Sequence, residues 1–537
     1  MNVTFKSSEA KHFFDQGIIF TYGYNHGEAA RSFRESIRLD STFAMAYWGL
    51  AYTLGPNYNA GLDPANKEEI LWATEKAIQL KSSVKPWEQG LIEASALKYR
   101  KDQMEPDLKA LVGKMKMLSE QFPKNAEILT HYGEAMMLQH PWDLYDYKGG
   151  PAKVWTPAII KALSTALMLD TYHPLTNHLY IHATEAAPQP EGGYDAASML
   201  SSLILPGAGH LVHMPSHTYI NTGDYHLGTE VNLAAVKADS IYVSQCKVQG
   251  AFPLYYYHNY HFLAACAALE GRGALAIEAS FRMTNTIDKS LLGEPGFETT
   301  QHFMTVPYNV LVKFAQWEKI LALPAPDEAY PYMTAIWHYA RGMAFANLGK
   351  LENAAEELLQ LDKIQANDRF GDYLIFGINP GQMVTGIARN VLEAEMEQVQ
   401  GNYEAAEQLL LKAVEIEDSM SYNEPPDWFF SVRHLLGDLY MTVEAYDKAE
   451  ATFRADLKNF PKNGFALNGL YWSLIKQDNP VAASEVLKQA EMAWEFADTP
   501  LKYSRVDPEK RKELTIRVAE GDPQEMIRLA ASFCTIY

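Results

Sequence analysis

Cysteine is nearly missing from this chain: Cys246, Cys266 and Cys534 are the only three in 537 residues. They are far apart and odd in number, which excludes a disulfide framework and any thiolate zinc knuckle and leaves isolated core or surface thiols. Long apolar runs are missing as well. No stretch approaches the roughly 18 uncharged apolar residues of a membrane-spanning helix, and the opening M-N-V-T-F-K-S-S-E-A-K lacks the apolar centre of a secretion signal. The expectation is a cytoplasmic chain with no membrane partner. Basic residues are in deficit, 46 Lys and Arg against 66 Asp and Glu, for a formal charge of −20. That balance opposes polyphosphate backbones and, with no basic face standing out, nucleic acid is not an expected partner. Strand-like alternation is scarce, and no Pro/Ser-rich linker divides the chain.

Apolar material and helical periodicity are abundant. At 47% hydrophobic content the chain can fill a large interior, or build an array in which each unit buries its neighbour. A spacing near 34 residues recurs, clearest from Arg433 to Pro461, where Gly437, Tyr440, Ala449, Phe453 and Pro461 stand at offsets 8, 11, 20, 24 and 32. Gly17, Phe20, Ala29 and Phe33 repeat those offsets; Ala394, Ala406, Leu410 and Ala413 give 8, 20, 24 and 27; Gly342, Phe345, Ala354 and Leu358 supply a further copy. Small residues at 8 and 20 let two helices touch, and bulky ones at 11 and 24 fill the gap to the next unit.

These offsets resemble those of the tetratricopeptide repeat (TPR). The resemblance implies an all-α, right-handed superhelical α-solenoid of about 12 TPR-like helix pairs. Three regions are expected: 1–170, N-terminal repeats with loop insertions; 171–325, central histidine-rich repeats; and 326–537, C-terminal repeats. The inserts at Gly55 to Asn66 and His140 to Thr156 are candidate lids or plain spacer loops. A mild break falls at Leu321 to Asp327.

Histidine supplies the chemistry. Of 16 in the chain, His173, His178 and His182 lie in one short run, His210, His213, His217 and His226 in the next, and His258 and His261 in Y-Y-Y-H-N-Y-H-F-L. In the TPR family offsets 2, 5 and 9 of the first helix form one stripe facing the concave groove. Anchoring each repeat on its turn puts His178, His182 and Glu185 at 1, 5 and 8, His210, His213 and His217 at 2, 5 and 9, His258 and His261 at 2 and 5, and His302 at 2. First helices of neighbouring units pack about 8–10 Å apart, so their side chains can share a point. Two positions carry alternatives. Pro215 suits the first turn of a helix, which would leave His210 and His213 in the loop before it. Glu185, at an offset that ordinarily holds a small residue, is either a buried carboxylate with a partner or a sign of a one-residue shift.

Several imidazoles without thiolates favour copper, iron or zinc, in a mononuclear or dinuclear site. The expected ligands are His178, His182, His213, His217, His258 and His261, with Glu185 a ligand or general base. Asn259, His302, His210 and Trp142 are expected to contact substrate. A hydrogen-bonded polar seam, or a seat for an anionic peptide terminus, would use the same residues. H-E-x-x-H is absent, so the zinc-protease signature does not apply. His12, His26, His131, His338 and His434 read as structural, E-P-P-D-W-F-F at Glu424 to Phe430 as a helix start with an aromatic plug, and G-P-N-Y-N as a turn.

The strings A-M-A-Y-W-G-L-A-Y-T-L-G-P-N-Y-N, H-L-Y-I-H-A-T-E, P-G-A-G-H-L-V-H-M-P-S-H and H-N-Y-H-F-L resemble those of a group of bacterial TPR proteins of similar length. That resemblance implies the fold and no particular chemistry. The function expected is that of a metal-dependent enzyme, oxidase or oxygenase ahead of hydrolase, acting on a small organic substrate in the concave groove. The alternatives are a non-catalytic scaffold for a peptide or protein partner, and a metal storage or delivery protein.

Overall fold

The computed structural model describes residues 1–103, 105–203, 207–246, 252–294, 297–367 and 373–507; Cys534 lies outside them. The fold is all-α. Among the described residues extended structure is confined to isolated bridges and two short antiparallel hairpins, Leu374–Ile375 with Asn379–Pro380 and Leu501–Lys502 with Arg505–Val506. Two compact units form. The first comprises Met1–Thr218 and Leu233–Tyr256, the second Tyr219–Asn232 and the chain from Tyr257 onward.

Within each unit a helix packs on the next one and on the one after that. Ser8–Tyr22, His26–Leu39 and Ala44–Thr53 do so in the first unit; Pro331–Asn347, Leu351–Gln365 and Gly381–Gln400 do so in the second. This is the packing of stacked TPR-like helix pairs, an α-solenoid. Local chemistry starts many of the helices. The side chains of Ser7, Asn25, Asp107 and Asn125 each accept a backbone N–H from the first turn they precede, satisfying a donor that the helix cannot.

The small and bulky offsets act as the repeat pattern requires. Phe33 lies in the space left by two absent side chains, with a Cβ at Gly17 falling 2.9 Å from its ring and one at Gly49 colliding with it. Phe453 fills the same role between Gly437 and Gly469. Ala394, Ala406, Leu410 and Ala413 are all buried. The copy begun by Gly342 departs from the pattern: that glycine seats Leu392 of Gly381–Gln400, while Leu358 is only partly buried.

Glu424 to Phe430 does not begin a helix. Helix Arg433–Thr442 starts later, because Pro425 and Pro426 supply no N–H and each restricts the residue before it to extended conformations. The segment from Leu321 to Asp327 includes the end of helix Trp317–Ala322 and runs into the loop before Pro331–Asn347, inside the second unit.

Candidate metal centre

Helix Pro174–Thr184 carries His178 and His182, four residues apart and therefore on one face. Its start is defined twice over, by Pro174 at the first helical position and by His173, whose Nδ1 accepts the Thr176 N–H at 3.2 Å. His173 is also tied by Nε2 to Glu127, 3.0 Å away. Glu185 caps the other end. The second string folds as a one-turn helix, Gly209–His213, followed directly by Pro215–Thr222. His210 and His213 are thus helical. His213 and His217 sit four residues apart across the junction at Met214, whose N–H reaches back to the His210 carbonyl at 3.1 Å.

His178, His182, His210, His213 and His217 are all buried, and their rings form a continuous chain. Centroids of His178 and His182 stand 5.0 Å apart, His178 and His210 5.1 Å, His210 and His213 5.4 Å, His213 and His217 4.9 Å, and His217 and His182 5.3 Å. One nitrogen each of His178, His182 and His210 lies within 4.8 Å of the other two; His182, Glu185 and His217 meet the same limit.

The hydrogen bonds orient two of the first three. His178 Nδ1–H donates to the Tyr22 carbonyl at 2.7 Å, which leaves Nε2 as a bare lone pair with no hydrogen-bond partner. His182 Nδ1 faces Glu185 Oε1 at 3.2 Å, and its Nε2 is likewise without a partner. An imidazole whose far nitrogen is fixed on a carbonyl or carboxylate while the near one projects unpaired is the usual state of a metal-ligating histidine. Burial, reinforced by the neighbouring His182, holds His178 well below the ordinary imidazole range, so its lone pair stays available.

Glu185 is a buried carboxylate with partners, as the first of the two sequence alternatives required. Its Oε2 stands 2.9 Å from His217 Nδ1 and its Oε1 on His182. Burial would raise its pKa, but the two imidazoles prevail and hold it below the usual carboxylate range. His213 in turn has Nδ1 3.1 Å from the Ser216 hydroxyl and Nε2 3.0 Å from His217 Nε2.

Aromatic side chains enclose the cluster. Tyr24 lies 4.6 Å from His178 and 5.4 Å from His210, and Tyr255 lies 4.6 Å from His210, centroid to centroid. Tyr58 and Trp142, one from each insert, stack on each other at 5.2 Å and cover His182 at 5.2 and 5.6 Å. On their outer side a cavity of about 300 Å³ is lined by Pro56 to Leu62, Leu138, Pro141 and Trp142 among others. The first insert is pinned by His26, whose Nε2 is 3.0 Å from Asn57 Nδ2, by the Tyr24 hydroxyl facing the Tyr58 amide, and by Asn59 on Tyr255. Tyr24 and Trp142 both hold a left-handed backbone, φ 56° and 57°, a conformation that side chains other than glycine adopt rarely.

His258, Asn259, His261 and His302 belong to the second unit. His258 is half-buried against Phe262, and Asn259 is buried on the same helix. His261 and His302 approach to 5.6 Å; His302 Nδ1 is 2.8 Å from the Tyr332 hydroxyl, and His261 stacks on Phe429. His131 and His338 pair with Glu134 and Glu357. His210, expected to contact substrate, stands beside His178 and His182. Tyr22 and Tyr24, which meet His178 through a backbone carbonyl and a packing ring from a distant part of the chain, leave no mark in the local sequence pattern.

No protein-family model and no curated protein sequence matches the chain. Solved structures with some likeness include the human IFIT1 dimer with m7Gppp-AAAA, at 12% identity and TM-score 0.33, covering 92% of this chain and 96% of that one. Another is the Cut9–Hcn1 hetero-tetramer of APC/C, at 13% identity and TM-score 0.29, covering 91% and 74%. Likeness at these values transfers no ligand or partner to this chain.

Proposed function

We propose that the chain is a metal-binding helical-repeat protein whose first unit holds one transition-metal ion on His178, His182 and His210, with Glu185 and His217 beside them. One observation carries this reading: two buried Nε2 atoms, each on a ring tethered through Nδ1, are left unpaired in a cluster where one nitrogen each of His178, His182 and His210 lies within 4.8 Å of the others. Leaving such atoms desolvated and unpaired costs about 1–3 kcal/mol each, which a bound cation would offset. The donor set is neutral nitrogen with one carboxylate at hand, suited to zinc, copper or iron and unsuited to magnesium or calcium. Ligand atoms around a tetrahedral zinc stand roughly 3.3 Å apart, a spacing inside the 4.8 Å limit that the three nitrogens meet.

Three protein ligands leave a coordination position open. For that reason metal-dependent chemistry on a small organic substrate remains the second reading, favoured by the cavity of about 300 Å³ outside Tyr58 and Trp142. A bound ion there would supply Lewis acidity or redox capacity. Storage or delivery of the metal needs only the triad itself.

The test is metal analysis of protein purified without a polyhistidine tag, followed by calorimetric titration of the metal-stripped protein with Zn²⁺ and Cu²⁺. We expect near-stoichiometric metal, and at least a tenfold loss of affinity in H178A and H182A. Tag-free protein that carries no metal, binds none in titration and shows unchanged thermal stability with added ions overturns the reading.

A further inference from the structure

Away from the histidine cluster, the second unit contains a chain of three side chains ending in an amine. Lys313, the last residue of helix Thr299–Lys313, places Nζ 2.7 Å from His434 Nδ1. His434 Nε2 lies 3.0 Å from Asp456 Oδ2, and the same oxygen accepts the Asn463 side-chain N–H at 2.8 Å. Asp456 and His434 are buried. Because the carboxylate fixes the imidazole proton on Nε2, Nδ1 offers a lone pair to Lys313. The arrangement is that of a nucleophile, a base and a group that orients the base.

The amine has somewhere to act. Lys313 and His434 both line a cavity of about 280 Å³ whose walls include Trp317, Tyr339, Trp428 and Phe429. That is near the lower end of the roughly 300–1,000 Å³ typical of small-molecule sites, and Phe430 and Tyr503 add two more aromatic rings to walls that also carry polar and charged side chains. The Lys313 Nζ rests 3.6 Å from the centroid of the Phe465 ring. Of the charges nearby, Arg505 is held by both oxygens of Glu395, at 2.8 and 3.0 Å, so it is not free to pair with the relay. Burial pulls the Lys313 ammonium down to about 7, Asp456 opposing and Arg505 adding, so a large share of the amine is neutral near pH 7.

We propose that Lys313 is an imine-forming lysine, whose amine condenses with the carbonyl group of an aromatic aldehyde or ketone seated in this cavity. The nitrogen lone pair forms the new C–N bond as the C=O π pair moves to oxygen. His434 Nδ1 takes a proton from the nitrogen and passes it to that oxygen, giving a carbinolamine. The C–O bond then breaks, the second N–H proton leaves by the same route, and the products are C=N and one water. Amine and carbonyl become imine and water with no oxidant or reductant. His434 and Asp456 position and relay the proton.

The experiment incubates the full chain with benzaldehyde or glyoxylate and sodium cyanoborohydride, which traps the imine, and maps adducts by peptide mass spectrometry. We expect one dominant benzyl adduct, on Lys313, forming at least tenfold faster than on any other lysine and tenfold faster than with glyoxylate. Its rate should rise with pH about a midpoint near 7. K313R should lose the adduct, and H434N should slow it at least tenfold at an unchanged melting temperature. The wild-type site map and pH profile decide the matter even if a variant fails to fold. Adducts spread over surface lysines, or a Lys313 rate still climbing toward pH 10, overturn the proposal; equal rates for the two carbonyl compounds overturn its aromatic specificity.

Discussion

Gly209 opens the one-turn helix that carries His210 and His213, and the buried Asp239 carboxylate occupies the space where its side chain would be. Its backbone is compatible with other residues; only the space is not. G209A should therefore act by overpacking, at a cost of about 1–3 kcal/mol, and should push the short helix, and with it the His210 ring, away from His178 and His182. The expected outcome is a lower melting temperature together with at least tenfold weaker Zn²⁺ binding in calorimetry. A variant that melts earlier yet binds zinc as tightly would show that the His210 ring does not depend on this contact. Tyr24 and Trp142 make a related point, since these two of the rings that face the histidines sit on left-handed backbone. Such conformations cost of order 1–3 kcal/mol and persist where the surroundings enforce them.

At the scale of the element, the ends of helices decide the electrostatics. Glu417 lies in the last turn of Tyr403–Ser419, where its Oε2 accepts the Val432 N–H at 3.1 Å while Oε1 has no hydrogen-bond partner. Burial pushes this carboxyl up to about 8, against the pull of Arg433 and with a further push from Asp456. A raised folded-state pKa means that the group's contribution is full below its unfolded value near 4.5 and is lost as pH rises through 8. E417Q never ionises, so its stability should gain on the wild type steadily between pH 4.5 and 8, as read from urea unfolding across that range. Parallel profiles for the two proteins would show that Glu417 titrates normally. The same elements mark what was legible beforehand. Gly437 and Phe453, or Gly17 and Phe33, are separated by a fixed 16 residues, so contact within a helix pair can be read from spacing. His178, His182 and Glu185 were legible for the same reason, being neighbours on one turn-by-turn face. His434 and Asp456 lie on the paired helices Arg433–Thr442 and Tyr446–Asn459, whereas Lys313 comes from a helix 121 residues before His434, so its approach to His434 leaves no mark in the repeat spacing.

At the scale of the whole molecule, the two proposed chemistries fall in different units, and their separation is measurable segment by segment. The proposed ligands His178, His182 and His210 all lie in the first unit, and Lys313, His434 and Asp456 all lie in the second. A ligand stabilises the cooperative segment that holds it by RT ln(1 + [L]/Kd), about 2.7 kcal/mol at a hundredfold excess over Kd. Hydrogen exchange resolves such gains by segment, because opening free energies differ between cooperative units. Adding Zn²⁺ to the metal-stripped protein should slow exchange by up to roughly 100-fold in peptides covering Pro174–Thr184 and Gly209–His213, and leave those of Gly381–Gln400 and Tyr446–Asn459 unchanged. Cyanoborohydride trapping with benzaldehyde should produce the opposite distribution, with protection gained around Lys313 and His434 and none around the histidine cluster. Zinc protection spread evenly through both units would mean that the ion binds elsewhere or acts through the entire fold, and the assignment of the metal to the first unit would fall.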